Sequence, residues 1–172
     1  MPASGIFINY RAEDSYTAAA LIGSKLTARF GSDHVFLDCR SIQIGTDFAN
    51  ELLRRLRTCS LLLVVIGPRW LTLTIEAGIR RIDDPKDWIR LEIANALRRG
   101  LRVVPLLLDG ATLPTAETLP DDIAGLSRRQ YLPLRLRYTE IDLDVLTERI
   151  MKADATLADI ATRRHQITNR KI

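Results

Sequence analysis

One uninterrupted apolar run constrains the fold of this chain more than any other feature. Leu61 to Ile66 reads LLLVVI, and Gly67 and Pro68 follow it directly. A run of this length suits a strand and falls far short of the roughly 20 residues that cross a membrane. A strand with no polar face is typical of the middle of a parallel sheet, where helices cover both faces. The run therefore predicts a central parallel strand and no membrane span.

Strand-like and helix-like segments alternate on both sides of this run. The other strand-like segments are Ile6–Ile8, Val35–Leu37, Val103–Leu108 and Tyr131–Leu136. The helix-like segments are Tyr16–Phe30, one capped by Thr46 or Asp47, one opened by Lys86 or Asp87 and ended by Gly100, and Glu140–Ala153. Strands that alternate with helices form parallel sheets. The sequence therefore predicts a flavodoxin-like three-layer α/β fold with a five-stranded parallel sheet and helices on both faces.

The length of the chain predicts one main domain. With 172 residues, we expect a single domain over residues 1–152. Residues 153–172 are less hydrophobic and end in a basic cluster. We expect this tail to be either a helical extension, through Leu157 and Ala161, or a linker.

Composition excludes several kinds of partner. A net charge of +4 and an aromatic content of 6% do not suit a nucleic-acid surface of interleaved basic and aromatic residues. The two cysteines and two histidines are dispersed, so we expect no disulfide framework and no metal site. There is no G-x-G motif, no P-loop and no signal peptide. We therefore expect a cytoplasmic protein without a bound cofactor.

Polar residues follow three of the predicted strands. They are Asn9-Tyr10-Arg11, Asp38-Cys39-Arg40 and Gly67-Pro68-Arg69-Trp70. In parallel α/β sheets, ligands bind outside the carboxyl ends of the strands, near the point where strand order reverses. Tyr10, Arg11, Asp38, Arg40 and Trp70 are therefore candidate substrate-binding residues. Core packing of Trp70 and capping of the next loop by Asp38 are the competing interpretations.

Glu92 is the candidate catalytic residue. On the predicted helix it lies one turn after Trp88, and no Lys or Arg lies three or four residues from it. An exposed helix glutamate is the ordinary interpretation of such a residue. The alternative is a carboxylate kept beside an aromatic ring for chemistry, with Trp88 either packing or contacting the ligand.

One reaction class needs only a single carboxylate. Ordinary glycoside hydrolysis needs an acid at the leaving oxygen and a second carboxylate at the sugar carbon. The nicotinamide of NAD+ is already cationic, so it leaves as a neutral molecule without protonation. One glutamate can then stabilise the oxocarbenium-like ribose, while arginines hold the diphosphate.

Four segments, in order along the chain, resemble a known family. They are FINYRAED from Phe7, VFLDCRSIQIGTDF from Val35, LLLVVIGPRWL from Leu61 and DWIRLEIANALRRGLRVVPLLLDG from Asp87. The ordered set resembles a bacterial Toll/interleukin receptor (TIR) domain over about Gly5 to Met151. Trp88 and Glu92 match the WxxxE pattern of that family.

The resemblance implies NAD+ as the substrate, because many TIR domains cleave its nicotinamide–ribose bond and some cyclise the product. It implies that Glu92 is catalytic, that Tyr10 and Arg11 lie near the substrate, and that Asp38 is the acidic residue ending the second strand. It also implies self-association, or association with other TIR domains, through the loop Cys39 to Asp47. Such assembly would activate the enzyme in bacterial defence or signalling.

Two alternatives remain open from the sequence. Some TIR domains are non-catalytic adaptors that bind one another, and these commonly lack a glutamate at this place. Nucleoside N-glycoside transferases use a glutamate on a similar sheet. The presence of Glu92 favours an NAD+ glycohydrolase or cyclase. The segment Leu71 to Pro85 is longer than in animal adaptors, which leaves the shape of the pocket mouth open.

Overall fold

A computed structural model describes residues 4–37 and 47–169. Within these residues, five parallel strands form one sheet in the order β2-β1-β3-β4-β5. The strands are β1 (Gly5–Asn9), β2 (Val35–Leu37), β3 (Cys59–Ile66), β4 (Arg102–Leu108) and β5 (Leu132–Leu134). The apolar run forms most of the central strand β3, and the predicted five-stranded parallel sheet is confirmed.

Helices connect the strands. The α-helices of the described residues are α1 (Ala12–Phe30), α2 (Phe48–Thr58), α3 (Trp88–Arg98), α4 (Thr139–Ala153) and α5 (Ala155–Asn169). Short 3₁₀ helices cover Ser32–His34, Arg81–Asp83, Ala116–Thr118, Asp121–Arg128 and Leu136–Tyr138. Gly31 and Gly100 follow α1 and α3 with φ of 95° and 70°. Glycine ends helices well because it adopts positive φ without a Cβ clash.

The helices cover both faces of the sheet and create two apolar cores. On one face, α2 and α3 pack against the even-numbered residues of β3 from Leu62 to Ile66. On the other face, α1, α4 and α5 pack against the odd-numbered residues from Leu61 to Val65. Successive side chains of a strand point to opposite faces, so a central strand needs apolar residues at every position.

The first helix begins earlier than its apolar spacing predicts. The sequence predicts a helix from Tyr16, whereas α1 begins at Ala12 and has a kink at Ser15, where φ is −143° and ψ is 22°. The amide and the hydroxyl of Ser15 both donate to the Arg11 carbonyl oxygen, at 2.8 and 3.2 Å. Polar residues therefore form the first turn of this helix, where the sequence suggests only a cap.

The tail of the chain is helical and packed over its described residues. Leu157 and Ala161 of α5 are completely buried in the core that α1 and α4 line. The predicted domain boundary at residue 152 remains a prediction. None of the described helices combines the length and the apolar composition that a membrane-spanning segment requires.

Candidate active site

The candidate site lies at the carboxyl ends of β1 and β3. Because β1 lies between β2 and β3, the strand order reverses at this point. Chain connections diverge there and leave a crevice, which is where open parallel sheets bind ligands. Asn9 ends β1, and Tyr10 and Arg11 follow it before α1 begins. Helix α3 packs across the same strand end, where it accepts hydrogen bonds from Asn9.

Local sequence explains why α3 begins beside the strand end. The Asp87 side chain accepts a hydrogen bond from the Arg90 amide and caps the helix. Apolar residues then repeat at helical spacing and are buried against the sheet. They are Ile89, Ile93 and Ala96. Glu92 is buried with them and is only 1% exposed. The cap and the apolar stripe together place a carboxylate inside the protein.

Glu92 is held by a residue of β1. Its Oε2 atom accepts a hydrogen bond of 2.6 Å from Asn9 Nδ2, and the same amide nitrogen donates to the Ile89 carbonyl oxygen at 3.3 Å. Asn9 is itself completely buried. A hydrogen bond in the interior is electrostatically stronger than one in water, so it fixes the orientation of the carboxylate. The interpretation of Glu92 as an exposed helix glutamate is therefore wrong.

The sequence places Asn9 at the rim of the sheet but predicts no role for it in the site. Asn9 and Glu92 are 83 positions apart in the chain, so no local spacing connects them. The available signal was an amide as the first polar residue after a buried strand, at the switch point of the sheet.

Two cavities border the site, and Trp88 lines both. The first, of about 400 Å³, lies between the exit of β1 and the chain that leads into α3. Its lining includes Tyr10, Arg11, Phe48, Ile75, Arg81, Lys86 and Trp88. The second, of about 560 Å³, lies between α2 and α3, and its lining includes Glu92 and Asn95. Both volumes suit a small-molecule site.

Trp88 packs and also keeps an accessible surface. Trp88 is 40% exposed. Phe48 meets it edge to face, with ring centroids 4.7 Å apart and an interplanar angle of 80°. This contact orients the indole, while its exposed part stays available for stacking on an aromatic ligand.

Tyr10 and Trp70 are interior residues, 2% and 1% exposed. Tyr10 borders the first cavity, whereas Trp70 lines neither of the two. The Trp70 ring lies 5.7 Å from the guanidinium carbon of Arg11, which is cation–π geometry. Substrate contact stays a prediction for both residues, and the geometry supports it only for Tyr10.

Arg11 is engaged by a carboxylate. Its Nη1 and Nη2 atoms donate to Oδ1 and Oδ2 of Asp87 at 2.9 and 2.8 Å. Arg11 is 3% exposed, although it borders the first cavity. Its predicted role at the substrate stays a prediction.

The long segment of residues 71–85 forms one wall of the first cavity. Thr74 and Arg80 pair as an antiparallel bridge, and Gly78 turns the chain between them with a φ of 76°. Ile75 and Arg81, at the two ends of this turn, both line the cavity. The segment that the sequence left open therefore lines the first cavity.

Cations border the first cavity. Arg81 pairs with Glu13 at 2.8 Å. Two hydrogen bonds hold the pKa of the Glu13 carboxyl below its usual value. The larger effect comes from a backbone hydrogen bond, and the next from the Arg81 side chain. Lys86 is exposed and forms no ion pair with the residues that the structure describes. Such cations suit an anionic group such as a diphosphate.

Several predicted residues lie outside the described ranges. They are Asp38 and Arg40, together with the part of the predicted association loop from Cys39 to residue 46. Asp47, the last residue of that loop, caps α2 by accepting a hydrogen bond from the Asn50 amide at 3.3 Å. Over residues 4–37 and 47–169, no group of three or more His, Cys, Asp or Glu side chains is arranged to hold a metal ion.

Comparison with protein families identifies this architecture. A family model described as the TIR domain matches residues 6–157. The chain belongs to the TIR domain family. This confirms the predicted TIR family and agrees with the flavodoxin-like fold, whereas a bacterial origin stays a prediction.

This TIR domain is similar to a curated protein and to a solved structure. It is 27% identical, over 156 residues, to the NAD(+) hydrolase sarm1 of Drosophila melanogaster. The match covers 91% of this chain but only 11% of that protein. Among solved structures it is similar to the TIR domains of the activated Roq1 resistosome that directly recognises the pathogen effector XopQ. That match has a TM-score of 0.62 and 14% identity, and covers 86% of this chain and 99% of the other. A likeness at that identity shows a shared fold.

Proposed function

We propose that this TIR domain cleaves the nicotinamide–ribose bond of NAD+, with Glu92 as the catalytic residue. The observation that carries the proposal is a buried carboxylate, hydrogen-bonded to Asn9 at the switch point of the sheet and lining a cavity of about 560 Å³. The relative named as an NAD(+) hydrolase supports the same chemistry here. The fold alone would not, because one fold hosts many functions.

The reaction needs one positioned carboxylate. The bond between C1′ of the ribose and the pyridinium nitrogen breaks, and its electron pair leaves with neutral nicotinamide. Glu92 stabilises the positive charge that develops on the ribose, an interaction far stronger inside a protein than in water. Water then adds to C1′ and loses a proton to solvent. A nucleophile within the substrate would give a cyclic product instead.

The cavity residues suggest how NAD+ is held. The exposed part of the Trp88 indole offers a surface on which an aromatic base stacks. Arg81 and Lys86 border the first cavity and supply positive charge for the diphosphate. Tyr10 also borders that cavity. Asp38 and Arg40 remain proposed substrate contacts, on the sequence alone.

Self-association through the loop Cys39 to Asp47 is the proposed mode of activation, in defence or signalling. Asp47 fixes the start of α2, and residues of α2 line the cavity that contains Glu92. Contacts made by the loop could therefore shift α2, which forms one side of the cavity that contains Glu92. A structural relative belongs to an activated resistosome, which supports assembly as a theme of this fold.

A non-catalytic interaction module is the second candidate. Exposed apolar side chains lie on α1, on α4 and in the turn before α4. They are Leu21, Leu136, Tyr138, Ile141 and Val145. Exposed apolar side chains that adjoin one another favour contacts between proteins.

Incubation with NAD+, followed by chromatography of the products, tests the proposal. We expect the wild type to release nicotinamide and Glu92→Gln to lower the rate by about 100-fold or more, because the variant keeps the shape but removes the charge. Glu148→Gln is the matched control, since Glu148 is exposed on α4, across the sheet from Glu92.

Three other outcomes would contradict the proposal. No nicotinamide release at any protein concentration, including assembled protein, would favour the interaction module. Release of bases from deoxynucleosides but not from NAD+ would indicate an N-glycoside transferase. Full activity of Glu92→Gln would remove Glu92 from the chemistry. Linear and cyclic ADP-ribose elute separately, so the same chromatogram identifies the nucleophile.

A further inference from the structure

The ion pair of Arg11 and Asp87 is nearly closed to solvent. Both Nη atoms of Arg11 donate to the two carboxylate oxygens of Asp87, at 2.9 and 2.8 Å. The two side chains are 2% and 11% exposed. Removing two charges from water costs free energy that a buried pair often fails to recover. A gain in folding stability is therefore a weak explanation for this ion pair. The position of the pair, at the start of α3, suggests a different role.

Asp87 has a second role at the start of α3. Its Oδ2 atom accepts a hydrogen bond from the Arg90 amide at 3.1 Å, and its carbonyl oxygen accepts one from the Leu91 amide at 2.9 Å. The residue that Arg11 holds is thus the N-cap of the helix that carries Glu92. Glu92 follows Asp87 by five residues, less than two helical turns.

Hydrogen bonds from two residues, Asn9 and Arg11, join the end of β1 to α3 and its cap. Arg11 holds the cap of the helix, and Asn9 holds Glu92 one turn further on. The bonds come from residues only two positions apart in the chain. A helix held at two points has little freedom to rotate or slide. Since a misplacement of about 1 Å costs up to 100-fold in rate, such a bond can act on catalysis without touching substrate.

The same geometry argues against Arg11 as a direct anchor of substrate. Each of its terminal nitrogens donates to a carboxylate oxygen of Asp87, and its side chain is 2% exposed. A phosphate that took these two hydrogen bonds would displace the carboxylate and leave Asp87 charged and partly buried, which is costly. Lys86 is an exposed cation at this cavity, and it is available without that cost.

We propose that Arg11 and Asp87 are positioning residues, which fix the N-terminus of α3 and thereby the Glu92 carboxylate. The catalytic part of this inference rests on the proposed NAD+ cleavage. The structural part does not, because it concerns how firmly α3 is held. The two parts need separate measurements.

Variants of the pair separate its charge from its cap. Asp87→Asn removes the negative charge but keeps a good N-cap residue, whereas Asp87→Ala removes both. Arg11→Lys keeps the positive charge but loses the two-pronged donor geometry. Lys25→Ala is the control, because Lys25 forms exposed ion pairs with Glu140 and Asp144 on the other face of the sheet. Circular dichroism verifies that each variant folds.

Steady-state kinetics of nicotinamide release is the first measurement. Arg11→Lys and Asp87→Asn are expected to lower kcat by about 10- to 100-fold with KM changed less than about threefold, because positioning acts on the transition state. Asp87→Ala should lower kcat further, and Lys25→Ala should leave both constants unchanged. A raised KM with unchanged kcat in Arg11→Lys would overturn the proposal and assign Arg11 to substrate binding.

Hydrogen exchange of the wild type and the variants is the second measurement, made without substrate. Amides of residues 90–93 are expected to exchange at least about threefold faster in Arg11→Lys and Asp87→Asn, with the amides of α4 unchanged, because local opening follows lost local contacts. Unchanged exchange at residues 90–93 would overturn the proposal even if activity fell. A wild type that releases no nicotinamide would refute the proposed function, and the exchange result would still decide whether the pair holds α3.

Discussion

Asn9 donates a 2.6 Å hydrogen bond to Glu92, so the proposed catalytic carboxylate depends on a strand residue 83 positions earlier. Both residues are almost completely inaccessible to water. A carboxylate in such a place needs donors, because burial without them carries a large desolvation cost. Asn9 should therefore influence both the free energy of unfolding and the rate of catalysis.

Asn9→Ala tests this dependence. We expect the variant to lose about 1–3 kcal/mol of unfolding free energy, because it strips a donor from a buried acceptor. Nicotinamide release should fall by about 10- to 100-fold, because the carboxylate is no longer oriented. Denaturant unfolding and product chromatography measure the two effects.

A double-mutant cycle attributes these effects to the pair. In the Glu92→Gln background, Asn9→Ala should cost less stability, because a neutral amide needs its donor less than a carboxylate does. Equal costs in the two backgrounds would mean that Asn9 acts through the Ile89 carbonyl, its other acceptor.

Single residues were predictable from the sequence only where local spacing or family pattern marked them. Glu92 is predicted as the catalytic residue from its spacing from Trp88 and from the resemblance to TIR domains. The burial of Glu92 could not be predicted, because a helix position with no nearby cation can lie either on the surface or in the core. Arg11 was predicted at the substrate because a cation at a strand end suggests a ligand. Its partner Asp87 lies 76 positions away and only the fold brings it there.

At the scale of elements, Arg135 and Asp142 join the end of β5 to α4. The backbone amide and the Nε of Arg135 donate to Oδ2 of Asp142 at 2.8 and 3.0 Å, and Nη2 donates to Oδ1 at 2.6 Å. The hydrogen bond from the Arg135 side chain holds the pKa of Asp142 below its usual value. This edge of the fold should therefore be sensitive to acid.

The stability that Asp142 contributes should be lost in acid. A carboxyl whose pKa is lower in the folded state stabilises the fold above its unfolded pKa of about 3.9. The contribution disappears as the pH falls through the folded pKa. Thermal unfolding of wild type and Asp142→Asn from pH 7 to pH 3 measures it. The difference in Tm should be largest near pH 7 and should shrink below about pH 4.

The exposed carboxylate Asp159 supplies the control. Asp159→Asn is expected to change Tm little at either end of the pH range, since Asp159 is exposed on α5. A Tm difference for Asp142→Asn that stayed constant across the range would contradict the ionic origin of the effect.

Most elements follow from signals that are local in sequence. Asp47 and Asp87, each one of two predicted caps, cap α2 and α3, Gly100 follows the end of α3, and the apolar run lies within β3, which begins two residues earlier at Cys59. The start of α1 was wrong because its first turn carries no apolar spacing. That turn is held by hydrogen bonds of Ser15 to Arg11 and by Asp14, which accepts from the Arg69 amide at 2.9 Å. The first contact is local and the second is tertiary, and neither leaves a mark in the apolar spacing.

At the scale of the whole molecule, the sheet and its helices were predictable from the sequence, whereas the packing of the tail against them was not. The alternation of strands and helices can be read along the sequence, and it predicts the sheet. Whether the tail packs depends on surfaces far away in sequence. Leu157 and Ala161 are two apolar positions in a mostly polar tail, and they become core only because α1 and α4 present an apolar groove to them.

Leu157 therefore tests whether α5 is an integral part of the domain or an appendage. If α5 belongs to the core, Leu157→Ala should cost about 2–5 kcal/mol, the usual penalty for emptying a buried leucine site, and should lower Tm by several degrees. Ile167→Ala on the same helix is the matched control. Its side chain is 59% exposed, so the cost should stay within about 0.5 kcal/mol.

Equal, small effects would mean that α5 can detach while the sheet and the Glu92 site persist, as the predicted boundary at residue 152 implies. A large effect of Leu157→Ala in the same unfolding transition as the rest of the chain would move that boundary to include α5, because cooperative unfolding joins only elements that share a core.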